Sequence, residues 1–439
     1  MRPLAIPSRE RGVTLIELMV ALVIGLILSL TMFTMMSSAE GRKRTITATN
    51  DAGQAGNYAM VLLDQWLRTA GSGFSKSAAY SFGCTLKAYR KDGEIEKQIL
   101  PTVDHAALPS PFASVNAGTV GEFRLAPVLI LPNQTTPGVS GGTSDVLVIM
   151  SGAAGTGGVP VQFSDLPAAA QLTLTNTTAF AAGDLVLVAP MDEPVMARSE
   201  SGGGTITSIN TPDCIIEQVG SVPGRPSRVL ELAGAYHSTN NGLALLSDNS
   251  SAMVLGNTVG RPPQFLVVGV GDNNTLYSYD LLNTAGDGVA LARADGVFEL
   301  HALYGIDKNC DGKISADEWV SPTDSVYSVD ALMAGSMQEP SNSPTDATAR
   351  SAACATLTTA NDYLQKILAI RVGLILRTSL PEKDVVTSAP LTLFSDLGEG
   401  LTYTRTLKTD HQDGTRKEQH YRYRTVEQTI PLRNPLQLP

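Results

Sequence analysis

The sequence predicts an α+β protein: one long N-terminal helix followed by a β-rich globular body with large insertions. Three observations carry this reading. Residues 18–36 form a run of 19 without a charge. Beyond it, Ala52, Ala55, Ala59, Leu62 and Trp66 recur at alternating steps of three and four, the signature of one helix face. The remainder combines 40 Gly and 25 Pro along the whole chain with short runs of Val, Leu and Ile, a pattern of strands separated by turns.

Residues 1–12, MRPLAIPSRERG, carry Arg2, Arg9 and Arg11 against the single acid Glu10. Residues 13–36 are long enough to cross a bilayer, since about 20 apolar residues suffice. Glu17 interrupts this segment. A charge there costs at least about 2.5–3.5 kcal/mol on insertion scales, so it needs a partner and a purpose. A secretory signal would have a shorter apolar core, and a plain signal anchor gives no reason for Gly12 or Glu17. Residues 37–71 continue as the amphipathic half of the helix, which Gly71 and Gly73 end. A helix from 13 to about 69 would be roughly 85 Å long at 1.5 Å per residue.

Residues 72–439 read as the β-rich body. Strands are expected at 145–150, 184–188, 228–232, 264–268, 297–304, 367–377, 401–408 and 419–430. Asp413-Gly414 is expected to turn the last two into a hairpin. Two irregular insertions are expected, at about 84–142 and 325–360. The formal charge is −10, and removing residues 1–12 makes it −12. Such acidity disfavours nucleic acid as a partner, because phosphate neutralisation needs Lys and Arg.

Cys84, Cys214, Cys310 and Cys354 allow three pairings. Cys84–Cys214 with Cys310–Cys354 is preferred, because the latter closes an apparent insertion locally. Asp307-Lys308-Asn309-Cys310-Asp311-Gly312 through Glu318 matches the calcium-loop pattern D-x-[DN]-x-[DN]-G-x₅-E. Asp307, Asn309 and Asp311 would offer side-chain oxygens, Lys313 its carbonyl, Ser315 the ninth position, and Glu318 a bidentate carboxylate to Ca2+. Residues 297–304 read as a strand and Pro322 follows the loop, so a lone calcium loop between β elements is expected. The alternative is an Asx-rich turn without metal.

Enzyme signals are weak. Gly138-Val139-Ser140-Gly141-Gly142 formally fits a nucleophile elbow but lacks the strand before and helix after. The histidines His105, His237, His301, His411 and His420 form no metal-binding spacing. Gly155-Thr156-Gly157-Gly158 lacks the Lys of a phosphate loop.

A basic leader ending in Gly12, then an apolar run interrupted by Glu17, resembles the class III signal of type IV prepilins. The resemblance implies a type IV pilin-like fold. It also implies cleavage by a prepilin peptidase after Gly12, N-methylation of Val13, and an assembly role for Glu17 as the fifth mature residue. Leu67-Arg68-Thr69-Ala70-Gly71, 180–188, Tyr304-Gly305-Ile306-Asp307, 370–377 and 429–434 together resemble PilW-type minor pilins. That family implies a non-catalytic subunit in the inner membrane with a periplasmic head, later part of a pilus on the cell surface. Its partners would be other minor pilins, the major pilin and a PilY-type tip adhesin, and it would help initiate assembly at the tip. A type II secretion pseudopilin of the GspJ kind, a ligand-binding adhesin head and a hydrolase using Ser140 are the rival readings.

Overall fold

A computed structural model describes residues 12–93, 95–100, 108–115, 123–135, 143–153, 158–191, 195–198, 206–210, 213–224, 228–284, 288–309, 311–324, 364–398, 400–408 and 418–432. An α-helix runs over Leu15–Thr69. Its residues up to Asp51 form one compact unit and Ala52–Pro439 another. In the first unit every large apolar side chain from Val13 to Met36 is exposed. The hydroxyls of Ser29, Thr31 and Thr34 donate to carbonyls three or four residues earlier, which satisfies them inside an apolar helix.

In the second unit the helix buries Gly53, Gly56, Ala59, Met60, Leu63 and Leu67. This stripe lies beside the predicted one: Ala52, Ala55, Leu62 and Trp66 are only half-buried. Hydropathy spacing overlooks glycines, yet at Gly56 the helix packs tightly on its neighbour. A Cβ on Gly56 would stand 2.1 Å from Leu376 Cδ1. Gly71, at φ +78°, ends the helix region and donates its N–H to the Met150 carbonyl.

Three large sheets and two two-stranded ones make up the described body. The eight-stranded sheet runs Ile95–Leu100, Thr85–Asp92, Asp213–Ser221, Asp184–Pro190, Ser250–Asn257 and Val161–Gln162, with Val229–Leu232 and Gln171–Thr173 attached. Thr85–Asp92 pairs in parallel with Asp213–Ser221, and the disulfide Cys84–Cys214 fastens the start of that pair. The five-stranded sheet runs Leu291–Asp295, Thr275–Asp280, Gln264–Gly271, Thr143–Ser151 and Val128–Thr135. The four-stranded sheet runs Trp319–Val320, Val297–Ile306, Ile367–Arg377 and Tyr423–Pro431.

Several expectations need correction. Residues 84–142 are not simply irregular: they supply Thr85–Asp92, Ile95–Leu100 and Val128–Thr135. The first two carry six charges in fourteen positions and form a hairpin at the rim of the sheet, where one face stays wet. Among the described residues, no pairing joins the two strands expected to flank Asp413-Gly414. Tyr403–Arg405 pairs instead with Leu391–Leu393, and Tyr423–Pro431 pairs with Ile367–Arg377. Residues 413–414, the insertion at 325–360, Cys310 and Cys354 lie outside the described residues.

Val297–Ile306, buried along its whole length, joins two sheets. It pairs with Ile367–Arg377 on one side. Toward the five-stranded sheet, side chains replace strand pairing. Ser144 Oγ donates to the Leu300 carbonyl and accepts the Leu300 N–H, at 3.0 and 2.9 Å. Asp145 accepts the Ala302 N–H at 2.9 Å, and Tyr304 Oη accepts the Ile130 N–H at 2.6 Å.

His301 sits in the same junction, 3.7 Å from Asp145 and 3.4 Å from Glu299, with the Tyr403 ring stacked on it. Arg405 Nε lies 2.9 Å from Glu299 as an ion pair without hydrogen-bond alignment, and its Nη2 reaches Glu418. Burial disfavours the imidazolium, but the two carboxylates outweigh it and raise the His301 pKa to about 9.

Gly56→Ala should destabilise the chain by about 1–2 kcal/mol in chemical denaturation: overpacking against buried Leu376 costs roughly 1–3, more than the gain in helix propensity returns. Gly53→Ala meets only the mobile end of Arg424, 3.2 Å away, and should be neutral or stabilising by up to about 1 kcal/mol. For His301, a folded pKa above the unfolded value means a stabilising proton. That contribution is complete below about pH 6.5 and lost as pH rises through about 9. The thermal midpoint should fall across this window, and fall less in His301→Gln; equal slopes would assign the effect to another group.

Candidate functional site

Two segments hold the residues singled out by sequence. The first is the helix start. Gly12 and Val13 precede the helix and are exposed, and Leu15 begins it. Thr14 Oγ1 accepts the Glu17 N–H at 3.3 Å, a cap that satisfies one of the unpaired donors of the first turn. Glu17 is therefore held in the first turn, where the positive end of the helix dipole favours a carboxylate. No other described side chain pairs with it.

The second segment is the acidic loop after Val297–Ile306. It returns through a one-turn 3₁₀ helix, Ala316–Glu318, into Trp319–Val320, which pairs back onto the same strand. The loop thus spans a β connection, with no flanking pair of α-helices. Gly312, at φ +77°, makes the turn that a side chain would strain.

Asp307 and Glu318 are each only 2 % exposed, so both carboxylates point into the loop. Asp307 accepts the N–H groups of Asp311 and Gly312, at 3.1 and 2.9 Å. Asn309 Oδ1 accepts the Asp311 N–H, and Asp311 accepts the Lys313 N–H. Glu318 Oε1 accepts the N–H groups of Lys308 and Asn309, while Oε2 accepts the N–H and hydroxyl of Ser315. Asp317 is held below the usual carboxylate range by its hydrogen bond from Ser315.

Asp307 and Asn309 share the Asp311 N–H, which brings their side-chain oxygens close to each other. Glu318 occupies the centre with four donors of its own. A cation entering here would have to exchange those donors for itself. Among the described residues, no three His, Cys, Asp or Glu side chains already stand in a metal-binding arrangement. The donor set suits a hard, oxygen-seeking cation, and Glu318 is the group that must turn.

Other titratable clusters serve the fold. Glu217, fully buried, accepts from Asn241 Nδ2 at 2.6 Å and lies 2.7 Å from His237 Nδ1. Burial pushes Glu217 up to about 8 and pushes His237 down. The adjacent Ser238 hydroxyl donates to Glu96, away from a nucleophile–base pairing. Sequence reasoning missed this cluster, and its members, 20 to 24 residues apart along the chain, leave no local signature. His420 bonds the Glu382 carbonyl. His105, His411 and the segment around Ser140 lie outside the described residues. Gly158 is explained by close backbone approach, since a Cβ there would stand 2.1 Å from the Gly73 carbonyl oxygen.

Comparison with known proteins adds two findings. Residues 265–434 match the family model described as Type IV Pilus-assembly protein W, and residues 7–33 match the prokaryotic N-terminal methylation motif. The first match contains the acidic loop and the strand pair behind it; the second contains Gly12, Val13 and Glu17. No match was found among curated proteins or among solved structures.

Proposed function

We propose that this chain, a type IV pilus minor pilin of the PilW type, helps to initiate pilus assembly and takes its place in the tip complex. The observation that carries the reading is Glu17: one carboxylate in the first turn of a helix whose next 19 residues are uncharged and uncovered. That helix is long and apolar enough to cross a membrane. In this reading it anchors the subunit in the inner membrane with the β-rich body in the periplasm. A prepilin peptidase cuts after Gly12, and Val13 becomes the N-methylated first residue.

The subunit then moves from lipid into a bundle of like helices. Glu17 neutralises an N-terminal ammonium, its own or a neighbour's, because in low dielectric each charge alone is more costly than the pair. Pairing fixes the axial register of the entering helix. The partners are other minor pilins, the major pilin and a PilY-type adhesin; no step requires a catalytic group. Glu17→Ala should leave membrane insertion and leader cleavage intact and abolish incorporation into sheared filaments. Normal incorporation of that variant would contradict the assembly role.

The acidic loop is proposed to bind Ca2+ through Asp307, Asn309, Asp311, the Lys313 carbonyl, Ser315 and Glu318. The supporting features are the ligand spacing, the inward carboxylates and the left-handed Gly312. The ion would brace the connection from Val297–Ile306 to Trp319–Val320. At calcium a hundredfold above its Kd, stability should rise by about 2.7 kcal/mol, read as a higher melting temperature. Asp307→Ala with Glu318→Ala should abolish the rise. A native chain whose melting temperature ignores calcium would leave the loop as a self-satisfied turn.

A further inference from the structure

Three cations follow the apolar segment directly: Arg42, Lys43 and Arg44. All three are exposed, and the only described ion pair among them is Arg44 with Glu40, 3.4 Å apart and itself largely in solvent. Arg42 and Lys43 have no hydrogen bond or ion pair among the described residues.

Their height along the helix matters. From Leu15, the first helical residue, to Arg42 is about 40 Å at 1.5 Å per residue. A bilayer with its headgroup layers is about 40–45 Å thick. With Glu17 just inside the hydrocarbon at one face, the three cations therefore fall in the headgroup layer of the opposite leaflet. Cα–Cβ bonds tilt toward the helix N-terminus, so these side chains lean back toward the membrane, and their long stems can follow.

Their arrangement around the helix also matters. Successive residues are about 100° apart, so three in a row point to three sides. A neighbouring helix touches one stripe and would leave most of this charge unused. A ring of headgroups surrounds the helix and meets all of it.

We propose that Arg42, Lys43 and Arg44 form a cationic collar that binds the phosphates of anionic phospholipids in the leaflet on the body side. The collar rests on the membrane-anchored reading above and adds a direction to it. Sliding toward the N-terminal side would drag three cations into hydrocarbon, whereas withdrawal toward the body side only releases them into water. The subunit is thereby held at one depth until assembly pulls it outward.

The test uses the full chain, native or carrying R42Q, K43Q and R44Q together, reconstituted in vesicles of phosphatidylcholine with phosphatidylglycerol. Spin-labelled lipids report which headgroup is held at the protein. The native chain should hold phosphatidylglycerol over phosphatidylcholine by about fivefold or more, the effect of one or more cations at the surface. The preference should shrink in molar salt, where the screening length falls to about 3 Å. The triple variant should lose most of it. Leader cations are the same in both chains, so the difference reads the collar. No preference in the native chain, or an unchanged preference in the variant, overturns the proposal. A chain washed off both vesicle types by alkaline carbonate would sink the membrane-anchored reading, and the collar with it; retention without preference sinks the collar alone.

Discussion

A charge removed from water must meet an opposite charge or enough hydrogen bonds, and that constraint organises this chain from one end to the other. Glu17 meets it least within the chain itself. It has a capping threonine and a helix dipole, which are too weak to offset transfer of a carboxylate into hydrocarbon. In the proposed reading its remaining need is a cation supplied from outside the helix, which a filament made of many such helices would provide. The exposed apolar surface from Val13 to Met36 states the same need in hydrophobic terms.

The body obeys the constraint internally. Asp145, Glu299 and Glu418 are buried, with half-buried Arg405, as a connected set around His301, and the Asp145–His301 contact links the five- and four-stranded sheets. Breaking one member would leave the others uncompensated, a loss larger than the net value of any single pair. The acidic loop follows the same rule with backbone donors: Glu318 is tolerated at 2 % exposure because four donors surround it. A cation there would replace one form of compensation with another, at the connection between two strands.

Much of this was legible in the sequence where the signal is local. The apolar run and Glu17 announced the long helix, and the runs at 145–150, 184–188, 297–304 and 367–377 announced buried strands. The acidic loop, being contiguous, displayed its candidate ligands, and its place between β elements was legible as well. Failures came where packing depends on distant partners. The buried helix stripe begins with Gly53 and Gly56, which carry no hydropathy, so the predicted face was turned aside. Thr85–Asp92 and Ser250–Asn257 were overlooked because charged and serine-rich runs look like loops until a neighbour strand is known. The partners of Tyr403–Arg405 and Tyr423–Pro431 are set by sheet topology, and the Glu217–His237 contact by a fold that brings strand and loop together.

The central claim is that the segment from Gly12 to Glu17 converts a membrane anchor into a filament subunit. The most direct measurement is the intact mass and N-terminal peptide of this chain recovered from sheared filaments and from the membrane of the same cells. The account predicts that the filament form begins at N-methylated Val13. Recovery only from the membrane, or filaments containing the chain with residues 1–12 attached, would contradict it.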